Sequence, residues 1–207
     1  LCREILTGGG NIHCITQQIP GRSEIMRNVI VAAIQMRCVP DPAENLRTAE
    51  RLVRQAAEQG AQVILLPELF EREYFCQQRR YDFYAYATPT DENPAVQMGI
   101  RLARELHVVL PVSFFERDCN NFYNTVACID ADGTLLGTYR KTHIPDDHYY
   151  QEKFYFTPGD TGFRVFRTKF GCIGVGICWG SVVPGDGAVH GPARGGAAAP
   201  IHGHRLG

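Results

Sequence analysis

The sequence has no long apolar segment and no excess of charge of either sign. Its longest apolar runs, such as residues 63–66, are far shorter than the roughly 18–20 residues that a membrane-spanning helix needs. Lys and Arg total 21 and Asp and Glu total 22, so electrostatics gives no reason to expect nucleic acid or an anionic membrane as a partner. Small molecules and other proteins remain as candidate partners.

Targeting and disulfide signals are also lacking. Residues 1–25 have no compact apolar core followed by a small-residue cleavage site, which predicts a cytoplasmic protein rather than a secreted one. The eight cysteines form no CxxC pair, and several lie within apolar, strand-like runs. In an intracellular chain this pattern predicts buried, reduced thiols.

An alternation of strand and helix patterns begins at residue 28. Residues 28–36 carry apolar residues at both odd and even positions, which predicts a strand covered on both faces. Asp41 and Pro42 can start a helix that ends at Gly60, and residues 63–68 have the pattern of a second strand. The order strand, helix, strand predicts a parallel βαβ unit and an α/β fold.

The pattern then repeats and changes. Asn93 and Pro94 can open a helix through Leu106, followed by a strand at residues 107–115. Residues 124–141 indicate a hairpin with its turn at residues 130–133, and residues 162–168 and 172–178 indicate two more strands. The aromatic residues of the long connection at 142–161 favour packing over disorder.

Three residues at predicted strand ends could act together. Glu68 and Lys141 each follow a strand, and Cys178 ends a glycine-containing apolar strand. A thiol is only slightly ionised at neutral pH, so a nucleophilic Cys178 needs a base, which Glu68 could be, and a nearby cation, which Lys141 could be. Taken singly, each could equally be a surface or core residue.

Several separated motifs resemble the nitrilase superfamily of carbon-nitrogen hydrolases. The strings LLPELF, YRKTHIP with QEKFYFTPGDTGF behind it, and IGVGICW are similar to the three signature blocks of that family, in its order. FEREYFCQ and PVSFFER are similar to its N-carbamoylputrescine amidase branch. The resemblance spans about residues 26–179.

The resemblance implies a four-layer αββα sandwich and a covalent mechanism. It makes Glu68 the general base, Lys141 the group that stabilises the tetrahedral intermediate and Cys178 the nucleophile, with Glu152 helping to position the lysine. The implied reaction is hydrolysis of N-carbamoylputrescine to putrescine, carbon dioxide and ammonia, without metal or organic cofactor. It also implies a small-molecule substrate and a homo-oligomer.

Other interpretations stay open. A different linear amide, ureido compound or nitrile could be the substrate, because DDHYY at residues 146–150 differs from the glycine-containing version of this branch. A catalytically inactive fragment that acts only as a binding module is the alternative from another class. His143, His148, Asp146 and Asp147 could suggest a metal site, but no helix or CxxC frame holds them, which favours a solvated or substrate-lining loop.

The chain departs from the family after Trp179. Residues 180–207 contain eight glycines and no Phe, Tyr or Trp, which predicts no packed element. One possible coding string for residues 180–187, read one base later, encodes DQWFPET, which resembles the missing family block and suggests a shifted reading frame. We therefore expect a disordered or spurious extension at 1–25, a partial carbon-nitrogen hydrolase domain at 26–179 and a disordered, out-of-frame tail at 180–207.

Overall fold

The first strand, helix and strand form the predicted parallel unit. The computed structural model describes residues 28–178 and the backbone of residues 196–201. Strand β1 (Val31–Ala33) lies parallel to β2 (Val63–Leu65), and helix α1 (Pro42–Glu58) connects them. The Asp41 side chain accepts a hydrogen bond from the Ala43 N–H at 2.9 Å and caps the helix.

A second unit of the same kind follows. Helix α2 (Pro94–Leu106) is capped by Asn93, and β3 (Leu110–Asp118) comes after it. The N–H of Ile64 donates to the carbonyl of Val109 at 3.0 Å, so the chain entering β3 runs parallel to β2. Both predicted βαβ units are confirmed.

Strands β4 (Asn121–Ile129) and β5 (Leu135–Arg140) form the predicted hairpin. They are antiparallel, and the Gly133 N–H donates to the Asp130 carbonyl at 2.9 Å within the turn. Strand β3 also pairs with β4 in antiparallel fashion, giving the order β3-β4-β5.

A separate sheet contains β6 (Val165–Thr168), β7 (Gly171–Ile177) and β8 (Gly196–Ile201). The first two are the strands predicted at residues 162–168 and 172–178; they pair in antiparallel fashion, and β7 and β8 are parallel. The expectation of no packed element after residue 180 is therefore wrong for these six residues, because backbone pairing needs no large apolar side chains. Residues 1–27, 179–195 and 202–207 lie outside the described part, and with them the whole of the extension predicted at 1–25 and all of the predicted tail except residues 196–201.

Side chains alternate along the strands and separate two cores. On β2, Ile64 joins the core beneath α1 and α2, whereas Val63 and Leu65 pack with Phe166 and Ile173 of the second sheet. The described residues thus form three layers in the order helices, sheet, sheet, in agreement with three of the four layers expected.

The prediction for β1 is only partly correct. Residues 28–36 were expected to be covered on both faces, but Ile30 is 54% exposed and Val31 45% exposed. Within the described ranges β1 pairs only with β2, so its other edge has no neighbouring strand there.

A third cluster of side chains holds the loops that follow β2 and β5. Phe75 is at its centre, stacked on Phe115 at 5.2 Å and edge-on to Tyr155 at 5.0 Å. Phe154 and Phe156 also belong to it, which confirms that aromatics of the long connection pack, although Tyr149 is 49% exposed. Aromatic pairs of this kind contribute about 0.5–1.5 kcal/mol each beyond the burial of their surface, so the cluster holds these loops in place.

Two global features complete the description. No helix within residues 28–178 is long and apolar enough to cross a membrane. In this part of the chain the free thiols include Cys38, Cys76, Cys119, Cys128 and Cys172. Cys2 and Cys14 lie outside it.

Candidate active site

Glu68, Lys141 and Glu152 meet in one buried ionic cluster. Lys141 Nζ donates to Glu68 Oε1 at 2.9 Å and to Glu152 Oε2 at 2.6 Å. The exposed fractions of these three residues are 1%, 0% and 1%. Two carboxylates therefore share one ammonium group in a place that water hardly reaches.

Each member of this cluster arrives from a different element. Glu68 follows β2 after two residues, Lys141 comes directly after β5, and Glu152 begins a short 3-10 turn (Glu152–Phe154) in the long connection. The aromatic cluster packs around Phe154 and Tyr155 and so fixes the turn that carries Glu152.

The charges of this cluster influence one another strongly. Burial disfavours the ammonium form of Lys141, but Coulombic attraction to Glu68, Glu152 and Cys178 outweighs it and raises the pKa of Lys141 above its ordinary value. Burial and the nearby Glu68 carboxylate raise the pKa of Glu152, although Lys141 and Tyr74 oppose this effect. Lys141 is thus a cation, and two carboxyl groups share it.

Cys178 directly follows β7 and lies close enough to Lys141 to interact with it electrostatically. Its side chain is half-buried, and its φ of 45° lies in the left-handed region that residues other than glycine rarely adopt. Leu69, next to Glu68, has a similar φ of 52°. Strained backbone at two strand exits is typical of functional sites, where surrounding structure holds it in place.

Backbone contacts hold Lys141 on both sides. Its N–H donates to the Asn124 carbonyl at 2.8 Å, and its carbonyl accepts from the Gly159 N–H at 2.8 Å. A Cβ atom at position 159 would lie 2.1 Å from the Arg140 carbonyl oxygen, so only glycine allows this approach.

Arg140, the neighbour of Lys141, belongs to a different network. Its guanidinium group binds both carboxylate oxygens of Glu116, at 2.8 and 2.9 Å, and also pairs with Asp118 and Asp160. These contacts tie β3, β5 and the loop after residue 157 together behind the cluster.

Two polar residues in the site were not predicted. Asn124 Nδ2 donates to Glu68 Oε1 at 2.6 Å, and the Tyr74 hydroxyl donates to Glu152 Oε1 at 2.7 Å. Asn124 stands at the start of the predicted hairpin beside the polar Thr125, so its amide gives only a weak sequence signal. Tyr74 lies in FEREYFCQ, one of the strings similar to the amidase branch, but that resemblance gave the tyrosine no role.

The residues considered for a metal site are engaged in other contacts. Asp146 pairs with Arg79 at 3.5 Å, the Asp147 carboxylate accepts from the His148 N–H at 2.6 Å, and His143 stacks on Phe163 at 6.3 Å. Over the described ranges, no group of three or more His, Cys, Asp or Glu side chains is arranged to bind a metal ion.

Comparison with known proteins gives consistent results. A family profile described as carbon-nitrogen hydrolase matches residues 30–188. An N-carbamoylputrescine amidase of Oryza sativa subsp. japonica is 57% identical over 156 residues, which cover 75% of this chain and 52% of that protein. A citrullinase of Francisella tularensis is 48% identical over 159 residues, covering 77% and 56%. The chain thus spans about half the length of the curated relatives it matches.

A solved structure supports the fold. The crystal structure of a carbon-nitrogen hydrolase from Helicobacter pylori superposes with a TM-score of 0.73 at 31% identity, covering 78% of this chain and 55% of that chain. This similarity confirms the α/β fold predicted from the motifs.

Proposed function

The chain belongs to the carbon-nitrogen hydrolase family, and we propose that it hydrolyses the terminal amide of N-carbamoylputrescine to putrescine, carbon dioxide and ammonia. The observation that carries this proposal is the 57% identity to a rice enzyme of that activity. The chain spans about half of that enzyme, so the activity of the whole is part of the proposal.

In the proposed first half-reaction, Cys178 Sγ attacks the ureido carbonyl carbon while Glu68 accepts the thiol proton. Lys141 stabilises the negative charge that develops on the carbonyl oxygen, which is worth several kcal/mol in a site with little water. The bond to the terminal nitrogen then breaks, the proton passes from Glu68 to that nitrogen, and ammonia departs. The product is a thiocarbamate ester on Cys178.

In the second half-reaction, Glu68 takes a proton from water as the water attacks the thiocarbamate carbon. The C–S bond breaks, the thiol regains its proton, and the released carbamic acid decomposes to putrescine and carbon dioxide. Glu152 positions Lys141 throughout, in keeping with their 2.6 Å contact. Nucleophile, base and cation are all side chains, so the proposed reaction needs no cofactor.

Citrulline is the best-supported second substrate, because a citrullinase is 48% identical to this chain. Citrulline has the same terminal ureido group but adds a carboxylate. Other amides and nitriles, and an inactive fragment that only binds, are the remaining alternatives.

Ammonia release tests the proposal. The purified chain is incubated with N-carbamoylputrescine, citrulline and a simple nitrile, beside Cys178→Ala and the matched control Cys172→Ala on the same strand. We expect ammonia mainly from N-carbamoylputrescine, loss of all activity in Cys178→Ala, and little change in Cys172→Ala. Faster ammonia release from citrulline would make citrulline the substrate in place of N-carbamoylputrescine. A folded chain that releases no ammonia would contradict the proposal.

The remaining predictions need experiments of their own. Sequencing the gene across the Trp179 codon tests the shifted frame and, with it, the domain division at residues 26–179. Homo-oligomeric assembly and a cytoplasmic location also stay predictions, which light scattering and fractionation of cells would test.

A further inference from the structure

Asn124 lies where it contacts both ends of the Glu68–Lys141 ion pair. It is fully buried within β4, next to the strand β5 that leads into Lys141. Its side chain donates to Glu68 Oε1 at 2.6 Å, and its backbone carbonyl accepts from the Lys141 N–H at 2.8 Å. One residue therefore fixes the base through its side chain and the lysine through its backbone.

The orientation of the Asn124 amide follows from charge. If the amide were turned over, Oδ1 would face the Glu68 carboxylate oxygen at 2.6 Å, and two acceptors would repel each other. In the orientation found, Oδ1 is buried and has no hydrogen-bond partner in the part of the chain that the structure describes. The amide is thus used as a donor alone.

The need for such a donor comes from the charge balance of the cluster. Glu68 and Glu152 share the single ammonium of Lys141, so each carboxylate disfavours ionisation of the other. Each also receives one neutral donor: Asn124 for Glu68 and the Tyr74 hydroxyl for Glu152. A donor to the ionised form offsets the repulsion and favours the carboxylate.

We propose that Asn124 is a positioning residue that keeps Glu68 ionised and fixed against Lys141, so that Glu68 can accept the proton of Cys178. The catalytic part of this inference rests on the proposed function. The electrostatic part does not, because it concerns only the ionisation of Glu68.

Within residues 28–178, the other titratable groups around Glu68 include groups from four elements, none of which is altered when Asn124 is replaced. They include Lys141 after β5, Glu152 in its 3-10 turn, Tyr74 and Cys76 in the segment after β2, and Cys178, which interacts with Lys141 after β7. A change in the ionisation of Glu68 in Asn124 variants therefore reports the lost donor.

The test follows the Glu68 side-chain carboxyl carbon by NMR during a pH titration of the ¹³C-glutamate-labelled chain, with Glu68→Gln to assign the signal. We expect Asn124→Ala to move the titration midpoint upward by about 1 to 2 pH units, the equivalent of one hydrogen bond to a charged group. Asn124→Asp should move it further, because a third carboxylate replaces the donor. Asn45→Ala is the matched control, since Asn45 is equally buried but donates to the Val39 and Glu71 carbonyls elsewhere.

The two Asn124 variants guard against loss of folding, because Asn124→Asp keeps the shape of the residue. If the Glu68 signal of either folded variant follows the wild-type curve, or if Asn45→Ala shifts it equally, the proposal is overturned. The acid limb of the pH–rate profile is the second measurement and should move in the same direction. A shifted titration in a chain without ammonia release would refute the proposed function while supporting the role of Asn124.

Discussion

Replacing Lys141 with methionine, which is similar in size but uncharged, should leave two buried carboxylates without their shared cation. Lys141 makes ion pairs at 2.9 and 2.6 Å and is 0% exposed, so water cannot replace it. Removing one partner of a buried ion pair typically costs about 3 to 5 kcal/mol of unfolding free energy. We expect a loss in that range at pH 8, measured by urea denaturation.

The loss should depend on pH, and its sign follows from Glu152. The pKa of this carboxyl is raised above 4.5 by burial and by Glu68. When a carboxyl group has a higher pKa in the folded chain than in the unfolded chain, its protonation stabilises the fold. This contribution is complete at pH values below the unfolded-state pKa and is lost as the pH rises through the folded-state pKa. Without the ammonium of Lys141 the pKa rises further, each unit adding about 1.4 kcal/mol to the loss at high pH.

Lys141→Met should therefore be less destabilised at pH 5 than at pH 8. Lys153→Met, an exposed lysine in the same 3-10 turn as Glu152, serves as the control and should change stability by less than about 0.5 kcal/mol at either pH. A Lys141→Met chain that loses less than about 1 kcal/mol, or that loses the same amount at both pH values, would refute the description of the cluster as a buried, charge-coupled unit.

Three further predictions concern the surroundings of the cluster. Tyr74→Phe removes the 2.7 Å hydrogen bond to Glu152 and should lower the unfolding free energy by about 1.5 to 3 kcal/mol. Tyr149→Phe, at an exposed site, should leave the unfolding free energy unchanged. Equal effects of the two changes would contradict a stabilising hydrogen bond from Tyr74 to Glu152. Gly159→Ala places a Cβ 2.1 Å from the Arg140 carbonyl oxygen and should lower the unfolding free energy by about 1 to 3 kcal/mol, with a parallel loss of ammonia release. An unchanged melting temperature would show that the loop is not held at this position. In the native chain, iodoacetamide should modify half-buried Cys178 well before buried Cys128, because burial raises the pKa of the Cys128 thiol to about 12. Mass spectrometry of peptides measures the order of modification. Lys141→Met should slow the reaction at Cys178.

The helices and their connections could be predicted because their signals are local. Asp41 and Pro42 open α1, and Asn93 and Pro94 open α2, where the structure places these caps. The exposure of β1 could not be predicted from its composition. Apolar residues in a strand show only that burying them is favourable, and not which element packs over them. The strand at Gly196–Ile201 was missed for a related reason, since small residues carry little pattern.

The sequence named the three residues of the ionic cluster, but not the residues that hold them in place. Arg140 and Lys141 are adjacent cations, and strand geometry sends neighbouring side chains to opposite faces, one toward Glu116 and the other toward Glu68. Composition alone cannot tell which of the two side chains points toward Glu68, whereas the resemblance to the family motif favours Lys141. Asn124 and Tyr74 depend on the register of β4 with β5 and on the path of a loop, neither of which a single sequence specifies.

The ionic cluster also links the folding of three segments to chemistry. Glu68, Lys141 and Glu152 come from separate elements, and each would be a buried, uncompensated charge without the other two. The turn carrying Glu152 can dock only if the aromatic cluster forms, and Lys141 is held in place by β4 and by the approach of Gly159. The cluster is therefore either assembled as a whole or strongly disfavoured, so variants that loosen the aromatic loops should reduce stability and reactivity of Cys178 together, even when they touch neither Cys178 nor Lys141.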